Sequence, residues 1–348
     1  MDAQREIARR RAWGCAALAA AACLFSGPVG WLPFAAPSFA ALRPFGPLFV
    51  LTALLAALHA RQRRAGRDLP ASPDAPPQWA QATPIVLAVV GEKWIAVELL
   101  GRVAARTARD SGPAFADPVY RLATGGALLL AALLALPLPR AARPEIRAGL
   151  SPAAALRALA ISGAAATVLA LALVAVSLVV RAPWTIYWAP SFRVAAAAQV
   201  VRGFAEELFY RAALQGALAA LFARLPWRRG ERLPRRAAAA GAILVVSCGF
   251  ALQHLDARRP PAVAAGALLF VLLTSILLGM LYAAARNLYL AAAAHTALNL
   301  LLLRALPLPV NATGEPLLAP ARVGLLFVFL LFVGAAVDHR RRRGKSEA

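Results

Sequence analysis

Ala205-Glu206-Glu207-Leu208-Phe209-Tyr210-Arg211 places two adjacent carboxylates and an arginine inside the apolar stretch 192–223. The flanking residues read as a membrane helix, and that reading decides the fold. An ionised side chain near the bilayer centre costs at least ~2.5–3.5 kcal/mol even on the most lenient scale. A segment that accepts this cost for Glu206, Glu207 and Arg211 uses the charges for chemistry, for transport or for an internal ion pair.

The rest of the chain supports a membrane reading. Of its 348 residues 61% are hydrophobic, and the mean hydropathy is +0.64. Soluble domains are about 45–50% apolar. A spanning helix needs ~20 mostly apolar residues. Segments of that kind lie near 12–33, 41–60, 83–101, 119–139, 154–180, 192–223, 236–255, 262–284, 287–304 and 320–338. We therefore expect an all-α, polytopic transmembrane helical bundle of about ten spans (eight to ten), with a polar intramembrane cavity. Glu92, Lys93 and Glu98 interrupt the third segment, for which an amphipathic interfacial helix is the alternative. Residues 66–82 carry Pro70, Pro73, Pro76 and Pro77 and read as a loop. The chain is read as an accessory region of about four spans (1–152), a core (153–305), and a last span with a basic cytoplasmic tail (306–348).

The formal charge of +22 is carried almost entirely by arginine, since Lys93 and Lys345 are the only lysines. An Ala- and Arg-rich composition reads as a GC-rich, bacterial genome. The arginines fall in short clusters between apolar runs, which is a topology signal and not a nucleic-acid-binding face. The partner this implies is the lipid bilayer, with no nucleic acid. The basic ends 5–12 and 339–345 and the loops 61–67, 140–147 and 224–236 all belong on the cytoplasmic side. Ten spans put them there together. Arg102, Arg106, Arg109, Arg258 and Arg259 run against that arrangement. The N-terminus, basic and then Ala-rich, reads as a first anchor and not a cleaved leader. Cys15, Cys23 and Cys248 sit in apolar segments without metal-ligand spacing and read as small buried hydrophobes. Asn311-Ala312-Thr313 matches a glycosylation sequon, a short and weak signal.

Three polar clusters fall in the second half. On an α-helix Glu207 and Arg211 are i,i+4 and share a face. Arg211 then neutralises Glu207 and leaves Glu206 directed elsewhere, on the face of Tyr210. In Phe250-Ala251-Leu252-Gln253-His254 the i,i+4 spacing stacks a ring on the imidazole. In His295-Thr296-Ala297-Leu298-Asn299 it projects an imidazole and an amide the same way. His59, at the end of a span, and His339, in the basic tail, read as interfacial. A carboxylate, two imidazoles and an amide on three spans can activate a water and stabilise an oxyanion.

These three motifs in this order, Glu206-Glu207-x-x-x-Arg211, Phe250-x-x-x-His254 and His295-x-x-x-Asn299, resemble the CPBP family of intramembrane proteases. That family includes CAAX-processing type II endopeptidases and bacteriocin-processing, Abi-like relatives. The resemblance covers roughly 195–305. It implies an intramembrane endopeptidase that cuts a membrane-associated peptide or protein near the membrane surface. By position, Glu206 activates water, His254 helps to hold it, His295 and Asn299 form the oxyanion hole, and Glu207 with Arg211 fixes the geometry. Phe250 and Tyr210 support them.

No His-Glu-x-x-His lies on one helix, so a metal-free glutamate mechanism with no cofactor is preferred. Zinc on Glu206, His254 and His295 is the alternative, which would make the chain a metalloendopeptidase. Readings of other classes are a non-proteolytic scaffold or immunity protein on the same fold, and a transporter or proton relay. The expected location is the bacterial inner membrane with both termini cytoplasmic. A fluorescent protein fused at the C-terminus should therefore fluoresce, and alkaline phosphatase fused there should stay inactive; active phosphatase reverses the orientation.

Overall fold

The computed structural model describes Trp13, Ala17, Gly126 and residues 149–185, 192–225, 232–254, 260–302, 306 and 308–347. Apart from Trp13, Ala17 and Gly126, the first four expected spans, with His59, Cys15 and Cys23, lie outside these residues. The described chain is mostly helical. In order it forms α1 (Pro152–Val180), β1 (Trp184–Thr185), α2 (Phe192–Glu207) and a π-helical segment (Leu208–Gln215). There follow α3 (Gly216–Phe222), α4 (Arg235–Gln253), α5 (Pro261–Ala285), α6 (Leu288–Leu302), β2 (Leu308–Pro309) and α7 (Pro320–Glu347).

Among the described residues, four helices are long and apolar enough to cross a membrane: α1, α4, α5 and Pro320–Arg340 of α7. They fall where the apolar runs put spans at 154–180, 236–255, 262–284 and 320–338. The apolar α6 has 15 residues. At 1.5 Å per residue that is about 22 Å, shorter than the ~30 Å hydrocarbon core. The stretch read as one long span, 192–223, is helical over Phe192–Phe222, but π-helical turns interrupt it.

The described residues fall into two compact units. One comprises Pro144–Leu208 and Leu277–Ala348. Its core joins Ala158, Ala165, Leu169 and Leu173 of α1 to Leu290, Ala294, Leu298 and Leu301 of α6 and to Val323, Phe327, Val328 and Leu331 of α7. The recurrence of these residues at three, four or seven positions, with Phe327 and Val328 adjacent, gives one apolar stripe per helix. Outside that stripe α1 exposes Leu156, Leu159, Leu171, Leu178 and Val179. A surface of this kind suits lipid, since it would be an aggregation liability in water. Gly334 of α7 meets α1 so closely that a Cβ there would lie 2.6 Å from Ile161 Cγ2. Small residues at such crossings allow helix backbones to approach in a membrane.

The ends of these helices follow from local chemistry. Ser151 caps α1 by accepting from Ala154 N, with Pro152 at the first helical position. Arg181, in the left-handed conformation at φ 51°, closes it, and Pro183 follows. Asn287 Oδ1 accepts from Leu290 N and so caps α6, while its Nδ2 donates to Ala154 O at 2.8 Å. One buried amide thus fixes the start of α6 to the first turn of α1. Strands β1 and β2 pair antiparallel, Trp184 opposite Pro309 and Thr185 opposite Leu308. Beyond β2, Asn311 lies in an exposed turn, its Oδ1 accepting from Thr313 N, Thr313 Oγ1 and Glu315 N.

The other unit contains Phe209–Ile276. Here α3 packs on α4, with the Phe222 ring against Gly241. Cys248 of α4 is a half-buried free thiol.

Replacing Asn287 by Ala removes the α6 cap and the bond to Ala154 together. Loss of a cap costs ~1 kcal/mol, and loss of the second hydrogen bond to Ala154 O costs about 0.5–1.5 kcal/mol more. Asn287→Ala should lower the Tm of the detergent-solubilised chain by several degrees, and an unchanged Tm would remove this bond from the account.

Candidate active site

The site is built where α2 lies on α6. Gly203 makes the close approach possible: a Cβ there would sit 2.7 Å from Thr296 Oγ1 and 3.5 Å from Thr296 N. One residue on, Phe204 stacks on Tyr289 with ring centroids 5.8 Å apart. The Tyr289 hydroxyl donates to Leu150 O. These contacts fix how α2 lies on α6, and the next turn of α2 presents Glu206 and Glu207.

Both carboxylates meet one imidazole. His295 Nδ1 lies 2.8 Å from Glu207 Oε1. His295 Nε2 lies 3.3 Å from Glu206 Oε2. On the far side of Glu206, Arg202 Nε donates to Oε1. Glu206 is 3% exposed, Glu207 1% and His295 6%, so water does little to screen these charges. A neutral imidazole donates through one nitrogen only. As an imidazolium, His295 can donate to both carboxylates. Asn299 follows one turn later on α6 and is half-buried.

On sequence Glu207 is coupled to Arg211 and Glu206 is directed elsewhere. The structure pairs Glu206 with Arg202, and Glu207 meets His295, 88 residues away. From Leu208 to Gln215 the helix is π-helical, with i→i+5 hydrogen bonds. Every residue from Ala205 to Gln215 is buried, as is common where such bulges mark functional sites. Arg202 was missed although a signal existed: it stands four residues before Glu206, the spacing of a helical ion pair.

The remaining sequence-derived residues lie in the other unit and form a set of their own. Arg211 is fully buried, donates from Nη2 to Ser275 Oγ at 2.7 Å, and lies over the Phe250 ring at 5.9 Å. Tyr210 meets Phe250 edge-on at 5.0 Å. Its hydroxyl donates to Gln253 Oε1 at 2.7 Å. His254 stacks on Phe250 at 4.7 Å, as the i,i+4 spacing implies. It is exposed, at the C-terminal cap of α4, with Nδ1 2.9 Å from Phe250 O. Tyr210 and Arg211 thus support Phe250, and Phe250 supports His254. His339 is exposed near the end of α7.

Among the described residues, no group of three His, Cys, Asp or Glu side chains forms a candidate metal cluster. Open catalytic zinc sites use three protein ligands. No step is therefore derived through a metal.

Residues 187–301 match the family described as type II CAAX prenyl endopeptidase Rce1-like. This stretch carries an Rce1-like domain. The match covers about one third of the chain and contains all three motifs on which the resemblance to the CPBP proteases rests. It supports a CAAX-type intramembrane endopeptidase in general, and with the apolar helices it indicates an integral membrane protein. No curated protein and no solved structure shows a significant match to the chain.

The Gly203–Thr296 crossing can be tested directly. Overpacking a tight contact costs about 1–3 kcal/mol. Gly203→Ala should lower Tm, and adding Thr296→Ala should recover part of the loss. A double-mutant cycle with no coupling would show that the two residues do not determine this approach.

Proposed function

We propose that this chain is a glutamic-type intramembrane endopeptidase, hydrolysing a peptide bond of a membrane-associated substrate near the membrane surface. The observation that carries the reading is the placement of His295 between two buried carboxylates, inside an Rce1-like domain. Two acids around one imidazole supply a base and an oriented donor, the two elements that amide hydrolysis needs.

Glu206 is the general base. Its Oε2 takes a proton from water as the water oxygen bonds to the scissile carbonyl carbon. His295 Nε2 and the Asn299 amide donate to the oxyanion that forms. The 3.3 Å spacing on the Nε2 side is looser than the 2.8 Å bond on the Nδ1 side. The Nε2 side is the one that admits a reactant. Glu207, bonded to Nδ1, sets the ring orientation and stabilises the imidazolium. The resemblance gives His254 the role of helping to hold the water, and Phe250, Tyr210 and Arg211 support His254 within its own unit. Collapse of the intermediate breaks the C–N bond, and the proton on Glu206 leaves with the amine. The reading needs no cofactor.

The substrate is taken as a membrane-associated peptide or protein, and no prenyl group is assigned. The proposed location is a bacterial inner membrane with both termini cytoplasmic.

The test uses the purified full-length chain in liposomes, with an internally quenched peptide library of randomised sequence. General bases contribute roughly 10²–10⁴-fold. Glu206→Gln should lose activity by at least that lower factor in protein that remains folded at the assay temperature. Glu207→Gln should lose less, with the change in kcat. Wild-type cleavage by Glu206→Gln would remove Glu206 as the base. Peptidomics of membranes carrying wild type or Glu206→Gln would then identify natural cleavage sites.

A further inference from the structure

Glu206 and Glu207 are adjacent and buried, and they face a single imidazole. A further cation meets this cluster: Arg202, whose Nε donates to Glu206 Oε1. The pair leaves Oε2 as the Glu206 oxygen directed at His295 Nε2, 3.3 Å away. Its two oxygens therefore have separate partners. Gly203, the next residue, lies against Thr296 one position after His295, so the backbone that carries Arg202 is anchored to the helix that carries the imidazole.

From this division we propose that Arg202 is a positioning residue for the reaction. Its guanidinium holds Glu206 by Oε1, keeps it charged beside Glu207, and presents Oε2 alone to the water and to His295. The proposal rests on the assignment of Glu206 as the base. Arg202 lies in none of the three motifs, and it is reached only through the ion pair. An Arg suits the place better than a Lys, because a planar fork fixes the orientation of a carboxylate where a point charge does not.

Without Arg202 a buried carboxylate loses the guanidinium that holds its Oε1. Glu206 is then free to turn about its side-chain torsions, and the oxygen that faces Nε2 is no longer fixed. The loss falls on the chemical step and not on substrate capture.

The Arg202 side chain is 25% exposed, so a small cation can reach its place. The experiment uses the full-length chain in liposomes and the randomised quenched-peptide library, with Glu206→Gln as control. Arg202→Ala should lower kcat at least 10-fold with KM within 2-fold of wild type. Added guanidinium ion should restore several-fold of that loss and leave wild type unchanged. Arg202→Lys should fall between Ala and wild type. The Tm of each variant shows whether folding accounts for the effect. Arg202→Ala with wild-type kcat, or a loss confined to KM, overturns the proposal while the base assignment stands. If Glu206→Gln cleaves at the wild-type rate, the base assignment itself has failed. If a fall in Tm accompanies the loss and guanidinium restores neither, Arg202 is a structural ion pair only, and the proposal is likewise overturned.

Discussion

The candidate site depends on one constraint: two adjacent carboxylates, buried almost completely, must be held by polar partners where little water screens them. Removing one member of a buried ion pair typically costs 3–5 kcal/mol, because the other charge is left uncompensated. Two of the partners come from different places. Arg202 comes from the preceding turn of the same helix, and His295 comes from α6. The first needs only helical spacing, and the second needs a tertiary fold. That fold must bring α2 and α6 close enough for a short side chain to reach an imidazole, which is why Gly203 and Thr296 matter to the site although neither carries charge.

The same unit shows how α6 is held in place. Its first turn is tied to α1 through Asn287, and its apolar stripe packs into a core shared with α1 and α7. Tyr289 adds a bond to Leu150 and a stacking contact to Phe204 of α2. His295 therefore sits on a helix fixed at its start, along its apolar face and at its crossing with α2. Catalytic geometry is best held by elements whose own positions are locked by packing. This helix meets that condition while being too short, at 15 residues, to count as an ordinary span.

Much of this was legible in the sequence, for identifiable reasons. Apolar runs bounded by arginine, proline and glycine locate α1, α4, α5 and the membrane part of α7 to within a few residues, because a spanning helix must be apolar over a set length. The polar residues inside these runs stood out because intramembrane charge is costly. Phe250 and His254 stack as their spacing requires. Two things were hidden. No pattern in Leu208–Gln215 announces π-helical turns, since all eight residues are buried and no face contrasts with another. The Glu207–His295 bond joins residues far apart in sequence, and only tertiary packing selects it. Arg202 was hidden by neither cause. Its four-residue distance to Glu206 is a local signal, visible to anyone reading backwards from the acid as well as forwards.

Reading backwards also explains why the two glutamates stand side by side. On α-helical pitch, consecutive residues point about 100° apart, so one imidazole can touch both only from between them. His295 does so, with one ring nitrogen for each acid. The two nitrogens are thereby made different. Nδ1 is held at 2.8 Å by the more deeply buried Glu207, while Nε2 faces Glu206 at the looser 3.3 Å. An imidazole held at Nδ1 by a carboxylate has its Nε2 direction set, and a carboxylate held at Oε1 by a guanidinium has its Oε2 direction set. Adjacent acids, one ring and one arginine are enough to orient both, and Nε2 and Oε2 face each other.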